Sequence, residues 1–237
     1  MLNSLGSQLG GQCLAVFGPA VEAIRLRSLR SLFLGPLAAL IVAGLAMAFR
    51  TRWGHTFVVS YATTRPGDPW HLVLLKLPLS MFAPAAMLPF WFAVVQVAVV
   101  YSLSQALVGT GRTVLVAVSG HAAATLSAHL WIVLGRPLGV AHRFDHYADA
   151  GPSAAVVALL AYLAVVRGAG WLAAGLVAYH AIEIGTFNGL SQREHLVGSL
   201  TGVCLALAGR APAADAGSGP GTAPPGPIAF GSRTGAG

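Results

Sequence analysis

Charge is what this sequence has least of. Only 9% of its 237 residues are Asp, Glu, Lys or Arg, against 56% hydrophobic, where an average soluble domain carries roughly 25% charged residues. So few charges cannot clothe a water-facing surface, and the composition points to a membrane protein. Lysine occurs once, at Lys76, and every other basic residue is arginine; with abundant Ala, Gly and Pro, that bias fits a GC-rich bacterial genome. Cysteine is down to Cys13 and Cys204, one near the N-terminus and one in an apolar run. Such a pair excludes a disulfide framework and a cysteine-based zinc site. The formal net charge of +7 has no clustered basic stripe behind it. Its arginines stand singly or in pairs at the edges of apolar runs, which fits membrane flanks and excludes nucleic acid as a partner. Residues 1–30 lack a basic head leading into an apolar run and a small-residue cleavage site. No cleavable signal peptide is expected, and the first span does the targeting.

What the sequence does have is apolar length. A helix needs about 20 mostly apolar residues to cross the hydrocarbon, fewer where arginines snorkel at its ends. Six segments approach this: 31–49, one within 77–108, 113–134, 152–166, 169–187 and 194–208. The expected fold class is all-α, a polytopic bundle of six transmembrane helices. Residues 1–30 read as a cytoplasmic N-terminal segment, 31–210 as the membrane domain and 211–237 as a disordered tail. The tail's Gly, Pro and Ala, without period, build no core. Residues 51–76, with Trp53, His55, Tyr61, "RPGDPW" and His71, read as a long interfacial loop. Pro84 and Pro89 interrupt 77–108, leaving loop or kinked helix in its first part. The fourth and sixth segments are short for helices facing lipid alone, which predicts neighbours that shield them. With the N-terminus inside, the 14 Lys and Arg divide evenly between the two sides, so charge by itself leaves orientation open.

The stretch "DAGPSAAVVALLAYLAV", 149–165, sets a Gly-Pro turn and a serine at the mouth of the fourth segment. Gly151 suits the N-cap and Pro152 the first helical position, where a missing N–H costs nothing. Ser153 then lies in the first turn, where unpaired N–H groups and the helix dipole favour a developing negative charge. Alone it reads either as a small polar residue at a helix start or as a nucleophile whose own N–H stabilises an oxyanion. In "REHLVGSLTG", 193–202, His195, Gly198 and Gly202 share one helical face, and the two glycines permit close backbone approach. Ala154, Ala158 and Ala161 give the fourth segment a matching small face. By helix alternation both segments start on the same side of the membrane. Ser153 and His195 therefore have the placement of a Ser-His dyad, attacking hydroxyl and general base.

Other polar residues inside apolar segments need partners. His180 and Glu183, three apart, read as a hydrogen-bonded structural pair, with a proton or ion path as the functional alternative. His121 and His129 lie on the third segment, His121 as a packing histidine; Gln96 is the amide inside the second. Asp149 reads as a solvated loop acid, with capping the fourth helix or orienting a histidine as the alternatives. His142 and His146 lie one helical turn apart with Asp145 and Asp149 interleaved, without a defining metal pattern. No metal and no cofactor is expected.

With "GPSA" at Gly151 to Ala154 and "HLVGSLTG" at His195 to Gly202, in the fourth and sixth segments, the chain resembles the rhomboid family of intramembrane serine proteases, as a divergent member of the actinobacterial rhomboid-like type. That family has a six-helix core, Gly-x-Ser-Gly opening the fourth helix, and a histidine followed by small residues on the sixth. "LVGTGR" between the second and third segments and the long first loop are similar too, and the likeness covers 31–210. The resemblance implies Ser153 as nucleophile and His195 as base; Gly151, Ala154, Gln96 and His121 are the candidates around the oxyanion, with packing as the other reading of Gln96 and His121. It further implies a cell-membrane, multi-pass location with a cytoplasmic N-terminus, and membrane lipid and a client's transmembrane helix as partners. Three departures bear on activity. The family's His and Asn on the second helix are missing from "SMFAPAAMLPFWFAVVQ", Pro152 supplies no N–H, and the motif's last glycine is Ala154. Losing one oxyanion donor costs roughly 10²–10³ in rate. A catalytically inactive pseudoprotease that binds clients is therefore the second expectation. A small ion-coupled carrier using His121, His180 and Glu183 is the third, with no inverted repeat to support it.

Overall fold

The computed structural model describes residues 32–84, 89–139, 144 and 149–210, with residues 8, 10–16, 18, 19, 22 and 25 of the N-terminal segment. The tail 211–237 and the loop residues His142, Asp145 and His146 lie outside the described residues. From residue 32 onward these form eight helices: α1 (Leu34–Phe49), α2 (Arg52–Tyr61), α3 (Trp70–Ser80), α4 (Phe90–Val108), α5 (Thr110–Gly135), α6 (Ser153–Val166), α7 (Gly170–Phe187) and α8 (Leu190–Ala208). The described chain is all-helical apart from one isolated bridge, Thr64 with Asp149. Each of the six apolar segments carries a helix, and two, α4 and α5, are long and apolar enough to cross a membrane.

Residues 51–76 differ from the expected loop, because local capping makes helices of them. Thr51 Oγ1 accepts the Gly54 N–H at 3.1 Å and opens α2. Pro69 stands ahead of α3 with φ −67°, already suited to a helix start. Between them Asp68 gathers the polar turn, accepting from the Arg65 N–H at 3.0 Å and pairing with Lys76 at 2.6 Å. The prolines of the second segment act as a boundary rather than a kink: α4 starts at Phe90, directly after Pro89. Gly109, at φ 83°, joins α4 to α5 in a single residue, a backbone conformation that favours glycine.

At the centre lies α6, walled by α4, α5, α7 and α8. Ala155, Ala158, Leu159 and Leu163 are all but inaccessible. Its 14 residues span about 21 Å at 1.5 Å per residue, less than the roughly 30 Å of hydrocarbon in a bilayer. Its neighbours supply the shielding predicted for a short helix. The outside is apolar as well, with Leu40, Leu75, Trp91, Ile182 and Phe187 exposed.

α8 begins four residues before the predicted start because its polar first turn is held by α5 and by the preceding corner. The Arg193 guanidinium lies 4.4 Å over the Trp131 ring and donates to Gly189 O at 2.9 Å. Beyond that turn α8 presses its glycines on α6. A Cβ at Gly198 would sit 2.7 Å from Ala154 O, and one at Gly202 would collide with Ala158 O. The two contacts are four residues apart on both helices, so α6 and α8 run parallel and in step. Gln105, which the sequence pattern leaves without a role, is buried and accepts the Leu34 N–H at 3.0 Å while donating to Thr110 Oγ1 at 3.0 Å. It thereby ties the start of α1 to the α4–α5 joint.

Adding one methyl group at the α6–α8 contact tests this geometry. Gly202→Ala is expected to destabilise the folded chain in detergent by about 1–3 kcal/mol, the usual range for overpacking, because a carbonyl cannot rotate aside as a side chain can. Gly44→Ala, where a Cβ meets nothing within 4 Å, is expected to be neutral or slightly stabilising. Thermal unfolding followed by circular dichroism distinguishes the two.

Candidate active site

The turn before α6 is built around Ser80, at the end of α3. Ser80 is fully enclosed, and its carbonyl accepts the Gly151 N–H at 2.9 Å. Its hydroxyl lies 3.1 Å from Leu77 O and 2.9 Å from His121 Nε2. A hydroxyl has one proton, here directed at Leu77 O, so the His121 ring supplies the Nε2–H. His121 is thus more than a packing residue: through Ser80 it holds the turn that precedes Ser153. Gly151 itself has φ 140°, in the region open to glycine.

The helix start is one residue later than predicted, with Pro152 as the N-cap at φ −78° and Ser153 as the first helical residue. The Pro152 carbonyl accepts the Val156 N–H at 3.0 Å. Three N–H groups, those of Ser153, Ala154 and Ala155, stand ahead of the hydrogen-bonded ladder. Ser153 is half-buried, whereas Ala154 and Ala155 are buried.

His195 lies at the corresponding end of α8. Since α6 and α8 are parallel and in step, it is level with the Gly151 turn, within one helical turn of Ser153. Among the described residues no hydrogen bond joins the Ser153 hydroxyl to His195, whose Nε2 is buried without a partner. The imidazole lies instead beside His180 of α7, ring centroids 5.2 Å apart. His180 Nδ1 meets Glu183 Oε2 at 2.7 Å, which is the pair expected from their spacing. His180 Nε2 is also buried without a partner. One donor atom from each of His180, Glu183 and His195 lies within 4.8 Å of the other two, a grouping across α7 and α8 that the sequence does not reveal. Gly198 and Gly202 occupy the α6–α8 contact, as predicted. Gln96 has an enclosed amide nitrogen without a partner on α4, and no hydrogen bond links it to Ser153 or His195.

Asp149 departs from the solvated loop acid expected of it. Its backbone pairs with Thr64, N–H to O at 3.0 and 2.9 Å, and its carboxyl is enclosed against Glu194, Thr125 and Thr64. Glu194, on the first turns of α8, is 6% exposed. The sequence signal for it was its place on the stripe of Gly198 and Gly202, four and eight residues on. Two carboxyls hydrogen-bonded to one another require a shared proton. A cleft of about 10 Å³, lined by Thr64, Thr125, His129 and Asp149, opens beside the pair, with room for about one water.

Burial is the first cause that pushes the Asp149 carboxyl above the ordinary carboxylate range, outweighing its hydrogen bonds. The folded chain therefore keeps a proton that the unfolded chain loses near the ordinary value. This contribution to stability is fully present below that value and is lost as pH climbs through the raised one. The limiting slope is about 1.4 kcal/mol per pH unit for one retained proton. Asp149→Asn, neutral at every pH and still able to accept from Glu194 through Oδ1, is expected to unfold at a higher temperature than the wild type at pH 8. It should also flatten the decline between pH 5 and 8 in a thermal-unfolding series.

No protein-family model matches the chain, and no curated protein or solved structure matches it either.

Proposed function

We propose that this chain is a rhomboid-like, multi-pass protein of the cell membrane with a cytoplasmic N-terminus. Its activity is that of an intramembrane serine protease, with Ser153 as nucleophile and His195 as general base. In this reading α1, α4, α5, α6, α7 and α8 are the spans, and α2 and α3 rest at the interface. The starts of α6 and α8 face the extracytoplasmic side. The single observation that carries the proposal is the parallel, in-step contact of α6 and α8. It brings a half-buried serine and a half-buried imidazole, whose Nε2 is enclosed and unpaired, to one end of the bundle. Catalytic hydrogen bonds are often open in a structure without substrate and close in the reacting complex. In this reading the three N–H groups at the start of α6 are the donors for an oxyanion on the carbon that Ser153 attacks. The substrate is a client's transmembrane helix, unwound near the membrane surface.

One observation favours a second reading, a pseudoprotease that binds client helices without cutting them: Ser153 and His195 are not hydrogen-bonded, and Pro152 brings no N–H. A fluorophosphonate probe separates the two in native membranes. The protease should label, Ser153→Ala should abolish labelling, and His195→Ala should slow it by about 10²-fold or more, the usual contribution of a general base. A folded wild type that takes no label supports the pseudoprotease. Labelling that survives Ser153→Ala overturns the assignment of the nucleophile.

A further inference from the structure

The pair of unpaired imidazole nitrogens on α7 and α8 has a second use. A buried nitrogen without a partner loses its hydration and gains nothing in return, and each such group in a folded protein calls for an explanation. Here two of them occur together. His180 is 4% exposed and spends Nδ1 on Glu183, which leaves Nε2 free; the free nitrogen of His195 belongs to the neighbouring ring. A carboxylate completes the group, since donor atoms of His180, Glu183 and His195 all lie within 4.8 Å of one another.

We propose that His180, Glu183 and His195 bind a divalent transition-metal ion of the zinc class. Two imidazoles and one carboxylate are a three-ligand set for zinc that keeps a fourth position open for water or substrate. Bonds of about 2.0–2.2 Å hold such ligands, so the donors must draw in from the 4.8 Å within which they lie. His180 and Glu183 are three apart on α7, and His195 enters from α8, with the corner at Asn188 and Gly189 between the two helices. Glu183 lies on the open side of the group, its side chain 17% exposed against 6% for His180. The donor chemistry, imidazole with carboxylate, selects zinc, cobalt or nickel over magnesium and calcium, which prefer oxygen alone.

This inference does not rest on the protease reading, yet it bears on it. Neutral His195 has one acceptor nitrogen, which either coordinates the ion or takes the serine proton. Metal occupancy and base catalysis therefore exclude each other, and the ion acts as an inhibitor of the dyad.

The test uses the full chain in detergent, stripped with chelator and titrated with Co²⁺ alone. A visible absorption band of four- or five-coordinate cobalt is expected, bleached when Zn²⁺ displaces it. Glu183→Gln preserves shape and the contact to His180, and should weaken Co²⁺ binding by about 100-fold, the upper end of what even an outer partner's loss costs. His180→Ala and His195→Ala should abolish the band, whereas His129→Ala and His55→Ala should leave it unchanged. If either alanine variant misfolds, the Zn²⁺-dependent rise in unfolding temperature of the wild type, absent in Glu183→Gln, decides the matter. No band in the wild type, or a band insensitive to Glu183→Gln, overturns the site. Fluorophosphonate labelling with and without Zn²⁺ is a separate readout: binding without labelling leaves the metal site standing and removes the protease, and labelling without binding does the reverse.

Discussion

The absence of two side chains on α8 governs the rest of this molecule. In lipid, where the proposed function sets this bundle, there is no hydrophobic drive to push one helix against another, since the tails are as apolar as leucine. Association has to come from close contact, and the closest contact is backbone on backbone. Gly198 and Gly202 make that possible against the Ala154 and Ala158 carbonyls. Gly120 of α5 makes room for the Ala158 methyl group, so α6 is packed closely against glycines of two helices. A knob of one methyl group on any of these faces would slide the register or part the helices. Register is the quantity that matters, because it decides which residues of the polar helix starts stand level with each other.

Those polar starts follow one economy. Where water is scarce, a polar group that folds inward must bring or meet a partner. Ser80 and His121 meet each other, Gln105 serves both the first N–H of α1 and Thr110, and Asp149 meets Glu194. The common device is a side chain that satisfies the end of a helix its own helix packs against. The economy is not complete: Gln96, Tyr101, Ser104 and His121 each keep an unpaired atom on α4 or α5, and those of His180, Glu194 and His195 fall together at one end of α7 and α8. A core selected for stability alone would not collect them there. Vacant donors and acceptors at one place are what a site for a ligand, a proton or a reacting group looks like before it is filled.

How far the sequence could be read follows from the range of each interaction. The helices were legible because apolar length and proline are local signals: Pro89 marks the start of α4, and Pro152 that of α6 within one residue. The α6–α8 contact was legible from spacing, since glycines four apart on one helix and alanines four apart on the other admit few other uses. The helices that start within 51–76 were missed because the Trp, Tyr, Pro and Gly residues there read as an interfacial loop, while Thr51 and Pro69 carry the capping information. Asp149 was misread for a different reason. Its partners Thr64, Thr125 and Glu194 lie far off in sequence, and nothing near Asp149 announces that water will be excluded. The His180–Glu183 pair was readable at spacing three, but its meeting with His195 depends on the angle at which α7 turns back into α8.

That turn carries the chemistry of His195. On α8 alone the imidazole would have one neighbour to consider, Ser153 on the parallel helix. By turning back beside it, α7 presents a second claimant for the same lone pair, the His180–Glu183 unit. An imidazole serves only one acceptor role at a time, so the two helices compete for a single atom, and the occupant of that atom sets what the site can do. On the proposed dyad and metal site, removing the claim of α7 leaves a base beside a serine, and satisfying it with a cation holds the ring away from the serine and fixes α7 to α8. The small face between α6 and α8 is what makes the competition sharp. With the backbones in contact there, the register of α6 against α8 fixes the height of His195 along the bundle.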